Sequence, residues 1–154
     1  MLRHLLAIRC MLFGCLASLA IMVPAGALQL VTNEEATLPP DEMPKLTFRG
    51  SPTRRPTVLL LAPAQSAGLV TSPLTLKIRF QAFGGSKINA DTIVVTYIKS
   101  PTINLTPRLA PFIRADGIEV PDAEVPPGTH QFRIELKDME GRVGGTIFSI
   151  QVAN

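Results

Sequence analysis

The sequence contains no tryptophan, a single tyrosine (Tyr97) and only two cysteines, Cys10 and Cys15, which both lie near the amino terminus. After residue 27 there is no cysteine, so disulfides and thiol chemistry are excluded from that part of the chain. The same part has one histidine, His130, and one histidine without cysteine cannot build the usual zinc ligand sets. The shortage of aromatic side chains also disfavours sugar binding of the kind that β-sandwich proteins achieve by stacking the sugar on exposed aromatic rings.

The amino terminus has the three parts of an export signal. Its first nine residues carry only positive charge, and the first acidic residue is Glu34. An apolar run covers residues 10–23, and small residues close the segment at positions 25–27. A signal peptidase accommodates small residues there, so we expect cleavage after Ala27. The run of 14 residues is short for a retained anchor, which needs about 20 apolar residues, and a lipoprotein site at Cys15 would truncate it.

Removal of residues 1–27 changes what the composition implies. The formal net charge of +3 includes Arg3 and Arg9, so the mature chain carries only +1. The basic composition of the precursor is therefore no argument for nucleic-acid binding, which needs a concentrated basic face. We expect an exported protein, periplasmic or extracellular, that is not stably inserted in the membrane after cleavage and that uses no cofactor.

Residues 28–56 have the composition of a flexible, proline-rich tail or linker. The prolines are Pro39, Pro40, Pro44, Pro52 and Pro56; the acidic residues Glu34, Glu35, Asp41 and Glu42 precede the basic residues Lys45, Arg49, Arg54 and Arg55. Such a segment offers little apolar surface to offset the entropy of ordering, so we predict a solvated tail. Two alternatives stay open: an arm whose basic residues bind an anionic surface, and a short docking strand at residues 46–48.

From residue 57 to residue 154 the apolar residues follow the period of β-strands. The signal is clearest at residues 74–81, where strict alternation places one face inward and one in water. Further short apolar or alternating segments, separated by turns, lie at residues 58–61, 92–98, 118–120, 130–136 and 148–152. Residues 103–105 and 109–113 lie between prolines, which predicts edge strands or turns. No helical period is convincing in the mature chain, and the pattern predicts an all-β sandwich or barrel.

Two segments resemble bacterial immunoglobulin-like domains. Residues 126–142 read Pro-Pro-Gly-Thr-His-Gln-Phe-Arg-Ile-Glu-Leu-Lys-Asp-Met-Glu-Gly-Arg and are similar to the last hairpin of those domains, where a P-x-G-x-H turn enters a strand that leaves through a D-x-x-G turn. Residues 72–76, Ser-Pro-Leu-Thr-Leu, look like their second strand. The resemblance covers residues 57–154 and implies an immunoglobulin-like or fibronectin III-like antiparallel β-sandwich of about seven strands. The tryptophan and paired cysteines of antibody-type domains are absent, which excludes that branch.

His130 is the first candidate for chemistry. It has the same parity as Phe132 and Ile134, so it is predicted to face inward at the start of a strand. A structural role is favoured over that of a general base or metal ligand, because no serine on a positioned turn accompanies it. A triad can nevertheless assemble from residues that are distant in sequence.

The acidic residues of the second half cluster in two turn regions. The first holds Asp116, Glu119, Asp122 and Glu124, and the second holds Glu135, Asp138 and Glu140. Neither has the alternating spacing of a calcium loop, so solvated or turn-capping roles are expected, with Asp138 accepting hydrogen bonds from the amides of its own turn. Asn104 begins an Asn-Leu-Thr glycan acceptor sequence, which matters only where the source organism glycosylates such sites.

No catalytic, cofactor-binding or metal-binding residue is predicted. The sequence favours an exported, non-enzymatic binding or structural module of the cell envelope or secreted space, whose partner is another envelope or secreted protein. Edge strands, or the loops at residues 84–86 and 138–145, would supply the contacts. The alternative is an enzyme or an enzyme-accessory domain, such as a hydrolase-associated or glycan-binding module, that uses His130 and nearby carboxylates. A sandwich fold alone does not decide between them.

Overall fold

A computed structural model of the protein describes residues 26–41 and 54–154. The predicted signal, apart from Gly26 and Ala27, lies outside the described residues, as does the predicted docking strand at residues 46–48. Within the described ranges, no helix is both long enough and apolar enough to cross a membrane.

The described residues form ten strands, two short helices and a 3₁₀ turn. The strands are β1 (Leu28–Gln29), β2 (Thr57–Ala62), β3 (Leu69–Val70), β4 (Leu74–Gln81), β5 (Ile88–Tyr97), β6 (Ile103–Asn104), β7 (Ile113–Arg114), β8 (Gly117–Glu124), β9 (Gly128–Asp138) and β10 (Val143–Val152). The helices are α1 (Asn33–Thr37) and α2 (Thr106–Leu109), and the 3₁₀ turn Ala110–Phe112 follows α2 directly.

The strands make two sheets. The first has the order β1–β8–β4–β2, with β7 also paired to β8, and the second has the order β3–β10–β9–β5–β6. The pairs β1/β8 and β3/β10 are parallel, and the other pairs are antiparallel. A mostly β chain in two sheets confirms the predicted all-β class and is consistent with a sandwich.

The core lies where the alternating strands bury one face. In β4 the residues Leu74, Leu76, Ile78 and Phe80 are buried, as the sequence alternation predicts. Their partners across the core are the inward residues of β5, β9 and β10, which include an aromatic stack. Phe132 is the centre of that stack, with its ring centroid 5.4 Å from that of Tyr97 and 5.5 Å from that of Phe148.

Residues 109–113 depart from the predicted edge strand or turn, because a helical stretch covers most of them. Pro107 lies in the first turn of α2, and Pro111 lies at the start of the 3₁₀ turn. Proline fits both places, since the first turn of a helix has no intrahelical acceptor for its missing N–H. Leu109 anchors the stretch, because it is fully buried in the core.

For residues 28–39 the structure corrects the predicted solvated tail. Here β1 pairs with β8, and the two residues that follow β1, Leu30 and Val31, are each 1 % exposed. The backbone amides of Leu30 and Val31 both donate to the carbonyl of Glu124. We call residues 28–39 the amino-terminal strap. The burial of two aliphatic side chains and the pairing of the backbone offset the entropy that is lost when this proline-rich segment is ordered.

A capping box starts helix α1 within the strap. The Thr32 hydroxyl accepts from the Glu35 amide at 3.2 Å, and the Glu35 carboxylate accepts from the Thr32 amide at 2.9 Å. The same carboxylate binds the Arg108 guanidinium through two hydrogen bonds of 2.6 and 2.8 Å. This bond from Arg108 is the largest cause that lowers the pKa of Glu35 to about 2.

Lys99 and Arg108 hold the strap through its backbone. The buried Lys99 ammonium donates to the carbonyls of Ala36 and Leu38, at 2.8 and 2.9 Å, and so caps the end of α1. Arg108 donates to the Leu30 carbonyl at 3.0 Å. The strap is therefore bound by cations at both ends, in addition to its buried side chains.

We expect Glu35→Gln to lower the free energy of unfolding by about 1–3 kcal/mol in urea denaturation at pH 7, because a charged hydrogen-bond pair is lost while the cap acceptor is kept. Glu34→Gln, on the exposed side of the same helix, is the matched control and should change stability by less than about 0.5 kcal/mol. Folding lowers the pKa of Glu35 from its ordinary value of 4.5 to about 2. The ionised carboxylate therefore stabilises the fold in full above pH 4.5, and this stabilisation is lost as the pH falls towards 2. The difference between wild type and Glu35→Gln should therefore shrink over that interval, and a constant difference would contradict the ion pair.

Candidate functional site

His130 lies inside the core on the inward face of β9, with 2 % of its surface exposed. Its Nε2 is 2.8 Å from the carbonyl oxygen of Pro126, and its Nδ1 is 2.8 Å from the hydroxyl oxygen of Tyr97. Because a carbonyl only accepts, Nε2–H donates to Pro126, and Nδ1 accepts from the Tyr97 hydroxyl. Both nitrogens of the neutral ring are thus satisfied, and the predicted inward orientation is confirmed.

The surroundings of His130 favour the neutral ring. Burial lowers the pKa of His130 below its ordinary value, and the positive charge of Lys99 acts in the same direction, whereas the bond to Pro126 opposes them. Burial also raises the pKa of Tyr97 to about 12, with a further contribution from Glu35. Protonation of Nδ1 would remove the acceptor of the Tyr97 hydroxyl, so this pair is poorly suited to proton transfer.

The carboxylates that could assist His130 are engaged elsewhere or lie on the surface. Glu119 pairs with Lys77 at 3.0 Å, and Glu135 pairs with Arg133. Asp116, Asp122 and Glu124 are exposed. In residues 26–41 and 54–154, no group of three or more histidines, cysteines or carboxylates is arranged to hold a metal ion.

A cavity of about 410 Å³ lies on the outer face of the first sheet, away from His130. Three cations, Lys77, Arg79 and Arg114, line it together with the acidic residues Asp116 and Glu119. The two acidic residues offset two of the three cations, and Lys77 already binds Glu119. His130 is not among the lining residues, so the enzyme hypothesis gains no substrate site here.

Asp138 organises the loop between β9 and β10. Its Oδ1 accepts from the amides of Glu140 and Arg142, at 3.0 and 2.9 Å, and its Oδ2 accepts from Arg142 Nε at 2.6 Å. These bonds confirm the predicted turn-capping role. Burial opposes ionisation of Asp138, but the bonds from Arg142 and Glu140 together hold the pKa of the carboxyl below its ordinary value. Gly141 completes the turn in the left-handed region, with φ of 78°.

Arg142 joins this loop to the loop between β4 and β5. Its Nη2 donates to the carbonyl of Phe83 at 2.9 Å, and its guanidinium carbon is 5.4 Å from the centroid of the Phe83 ring. The Met139 amide donates to the Lys87 carbonyl at 2.8 Å, which adds a second link. We call residues 82–87 together with 138–142 the loop surface. It presents two apolar side chains, Met139 and Phe83, which are 68 % and 40 % exposed.

The other sequence candidates fall in separate places. Tyr97 is fully buried, so it is not a platform for sugars. Asn104 is exposed, and its side chain accepts from the Thr106 amide at the start of α2. Of the predicted basic arm, Arg54 is exposed, and Arg55 lines a hollow beside β2 and β10. Lys45 and Arg49 lie outside the described residues.

The link between the two loops is the feature that sequence reasoning missed. Both loops are recognisable from their glycines, and Asp138 from its place in the turn. Phe83 and Arg142 are 59 residues apart, and no local sequence pattern predicts that the Arg142 guanidinium will lie over the Phe83 ring. The pairing depends on β4 and β9 ending at the same end of the sandwich.

Comparison of the chain with protein-family models, with curated proteins and with solved structures found no match.

We expect the stability of the protein to fall as the pH drops from about 7 to about 5, where histidine is the side chain that changes charge. The folded pKa of His130 lies below its ordinary value of 6.5, so the unfolded chain binds more protons in this interval. The stability that the neutral His130 contributes is therefore complete above pH 6.5, and it is lost as the pH falls towards the pKa of His130 in the folded protein.

Urea denaturation at a series of pH values tests this prediction, with His130→Gln as the comparison. The variant should be less stable at every pH and should lose the dependence between about pH 7 and about pH 5, because His130 is the one histidine after residue 27. An equal pH dependence in the two proteins would show that the histidine is not the titrating group.

Proposed function

We propose that this protein is an exported, non-enzymatic binding module of the cell envelope or secreted space, built on an immunoglobulin-like sandwich. We further propose that it contacts another envelope or secreted protein through the loop surface. The observation that carries the proposal is the pair of exposed apolar side chains, Phe83 and Met139, on two loops that Arg142 holds together.

The strand order supports the immunoglobulin-like part of the proposal. In that fold, strands A, B, E and D form one sheet, and strands C, F and G form the other. Here β2, β4, β8 and β7 are neighbours in one sheet, and β5, β9 and β10 are neighbours in the other. Assigned in chain order, these strands correspond to A, B, E, D and to C, F, G. The strap then adds β1 beside β8.

The loop surface has the properties of a pre-formed protein contact. Exposed large apolar side chains cost solvation free energy, and clusters of them mark interaction sites. Methionine adapts its shape to a partner, and an aromatic ring adds contact area at low entropic cost. The hydrogen bonds of Arg142 and Asp138 fix the loops before binding, which lowers the entropy that association loses.

The position of the fold within the chain supports export. Leu28, the residue that directly follows the predicted cleavage bond, begins β1, and Leu30 is already in the core. A leader that ends at Ala27 therefore leaves β1 and the rest of the strap in the mature chain. His130, with both ring nitrogens bonded, speaks against the enzyme alternative.

Met139→Asp should abolish capture of the partner when the immobilised mature protein is exposed to the native envelope or secreted fraction, because a charge replaces the most exposed apolar contact. Leu69→Asp is the matched control, since Leu69 on β3 is also 68 % exposed but lies outside the loop surface. Quantitative mass spectrometry of the captured proteins is the measurement. If the same proteins are captured equally by wild type and Met139→Asp, the loop surface is not the contact.

The export part of the proposal has its own test. The protein recovered from the extracytoplasmic fraction of the source organism should begin at Leu28, as measured by amino-terminal sequencing. Recovery of chains that still carry residues 1–27 from the cytoplasm alone would contradict export and would leave the loop-surface test unaffected.

A further inference from the structure

Two arginines flank a glycine in one row across the first sheet. Arg79 on β4 pairs with Gly117 on β8, and Gly117 pairs in turn with Arg114 on β7. Because Ile78 and Phe80 are buried, Arg79 between them points to the outer face of the sheet. Adjacent strands lie about 5 Å apart, so the backbones of the two arginines are about 10 Å apart.

The gap between the two arginines holds no side chain at position 117. A Cβ atom on Gly117 would collide with the carbonyl oxygen of Ile78, so a larger residue there would force the backbone to shift. The adjoining turn is also held against β4, because the Phe80 amide donates to the Asp116 carbonyl at 2.9 Å. The two arginine side chains therefore extend from backbone that is fixed before any ligand arrives.

Both guanidinium groups keep hydrogen-bond donors for a ligand. The Arg79 side chain makes neither a hydrogen bond nor an ion pair in the part of the chain that the structure describes. Arg114 uses only Nη1, which donates to the carbonyls of Pro111 and Ile113 at 3.3 Å in each case. Its Nε and Nη2 stay available.

The two arginines line the cavity of about 410 Å³ on this face, whose charge is positive. Its three cations and two acidic residues sum to +1. Glu119 is already neutralised by Lys77 at 3.0 Å, which leaves Arg79 and Arg114 against Asp116. Four other hollows within residues 26–41 and 54–154 have a single lining cation between them, so this cavity is distinguished by its charge.

We propose that this cavity binds the phosphate group of a small organic phosphate between Arg79 and Arg114. A guanidinium fork binds two oxygens of a carboxylate or phosphate. One fork engages both oxygens of a carboxylate, whereas a phosphate monoester offers three strong acceptor oxygens that two arginines can share. The arrangement of two arginines around one gap therefore favours phosphate.

The cavity also has room and surface for the organic part of the ligand. A water molecule accounts for about 30 Å³ of liquid volume, so the cavity is several times larger than a phosphate group. Leu61, Pro111 and Phe112 give it an apolar wall, and small-molecule sites combine such walls with a few polar groups. None of its lining residues belongs to the loop surface, so the site is independent of the contact proposed there.

Isothermal titration of the mature chain, residues 28–154, with glycerol 1-phosphate tests the proposal. We expect a dissociation constant of about 1 mM or lower, weaker binding of inorganic phosphate, and none of neutral glycerol. Arg79→Gln and Arg114→Gln should each weaken binding at least about tenfold, because charge-assisted hydrogen bonds are lost. Both arginines are exposed, so the variants should fold, which urea denaturation checks.

Three further variants separate the site from a general charge effect. Lys137→Gln is the matched control, since Lys137 is exposed on β9 and does not line the cavity, and it should bind as wild type does. Asp116→Asn should strengthen binding of inorganic phosphate at least about twofold, because a like charge is removed. Met139→Asp, which tests the loop surface, should leave phosphate binding unchanged, so the two proposals can fail separately.

Nuclear magnetic resonance locates the bound phosphate. The amide signal of Gly117 should move during the titration with glycerol 1-phosphate, and that of Met139 should stay in place. Absence of binding to wild type, or equal binding by wild type and the double variant Arg79→Gln/Arg114→Gln, would overturn the proposal. Binding to phosphatidic acid vesicles without binding of glycerol 1-phosphate would also overturn it, because the phosphate would then be recognised only on a lipid surface.

Discussion

The hydrogen bond between Tyr97 and His130 places two polar side chains inside the core, and much of the neighbouring structure follows from it. A buried hydroxyl without a partner costs about 1–3 kcal/mol, so β5 and β9 must keep the register that brings these groups together. The Ile98 amide, which donates to the Gln131 carbonyl at 2.9 Å, extends that register by one position. Lys99 then lies beside the Tyr97 ring, 5.6 Å from its centroid, and reaches the strap.

The two ends of the sandwich are built on different physical principles. At the strap end, Lys99 and Arg108 bind backbone carbonyls of the strap, and Arg108 also binds the Glu35 carboxylate. Charged groups therefore hold the strap against the core. At the loop end, Arg142 is used to hold two loops together while apolar side chains stay in solvent. Cations are structural at both ends, and the loop end also presents the exposed side chains of Phe83 and Met139.

The sequence predicts the main strands well because each buries alternate residues against one core. Residues 74–81 and 130–136 are examples, and the inward position of His130 follows from the same parity. The strap was not predictable from composition, since proline content suggests a tail. Its start was nevertheless visible in Thr32 and Glu35, which have the spacing of a capping box. The partners Lys99 and Arg108 could not be found without the fold, because their contacts are distant in sequence.

The sequence separation of the strap contacts also has a consequence for how the chain assembles. Arg108 binds residues 73 and 78 positions before it, and Lys99 binds a carbonyl 63 positions before it. Synthesis proceeds from the amino terminus, so the strap emerges first but has no partner until β8 and both cations have followed. Leu30 and Val31 therefore have no partner strand until β8 has been made. The strap is the first part of the domain to be made, yet it can dock only after residue 124, when β9 and β10 are still to follow.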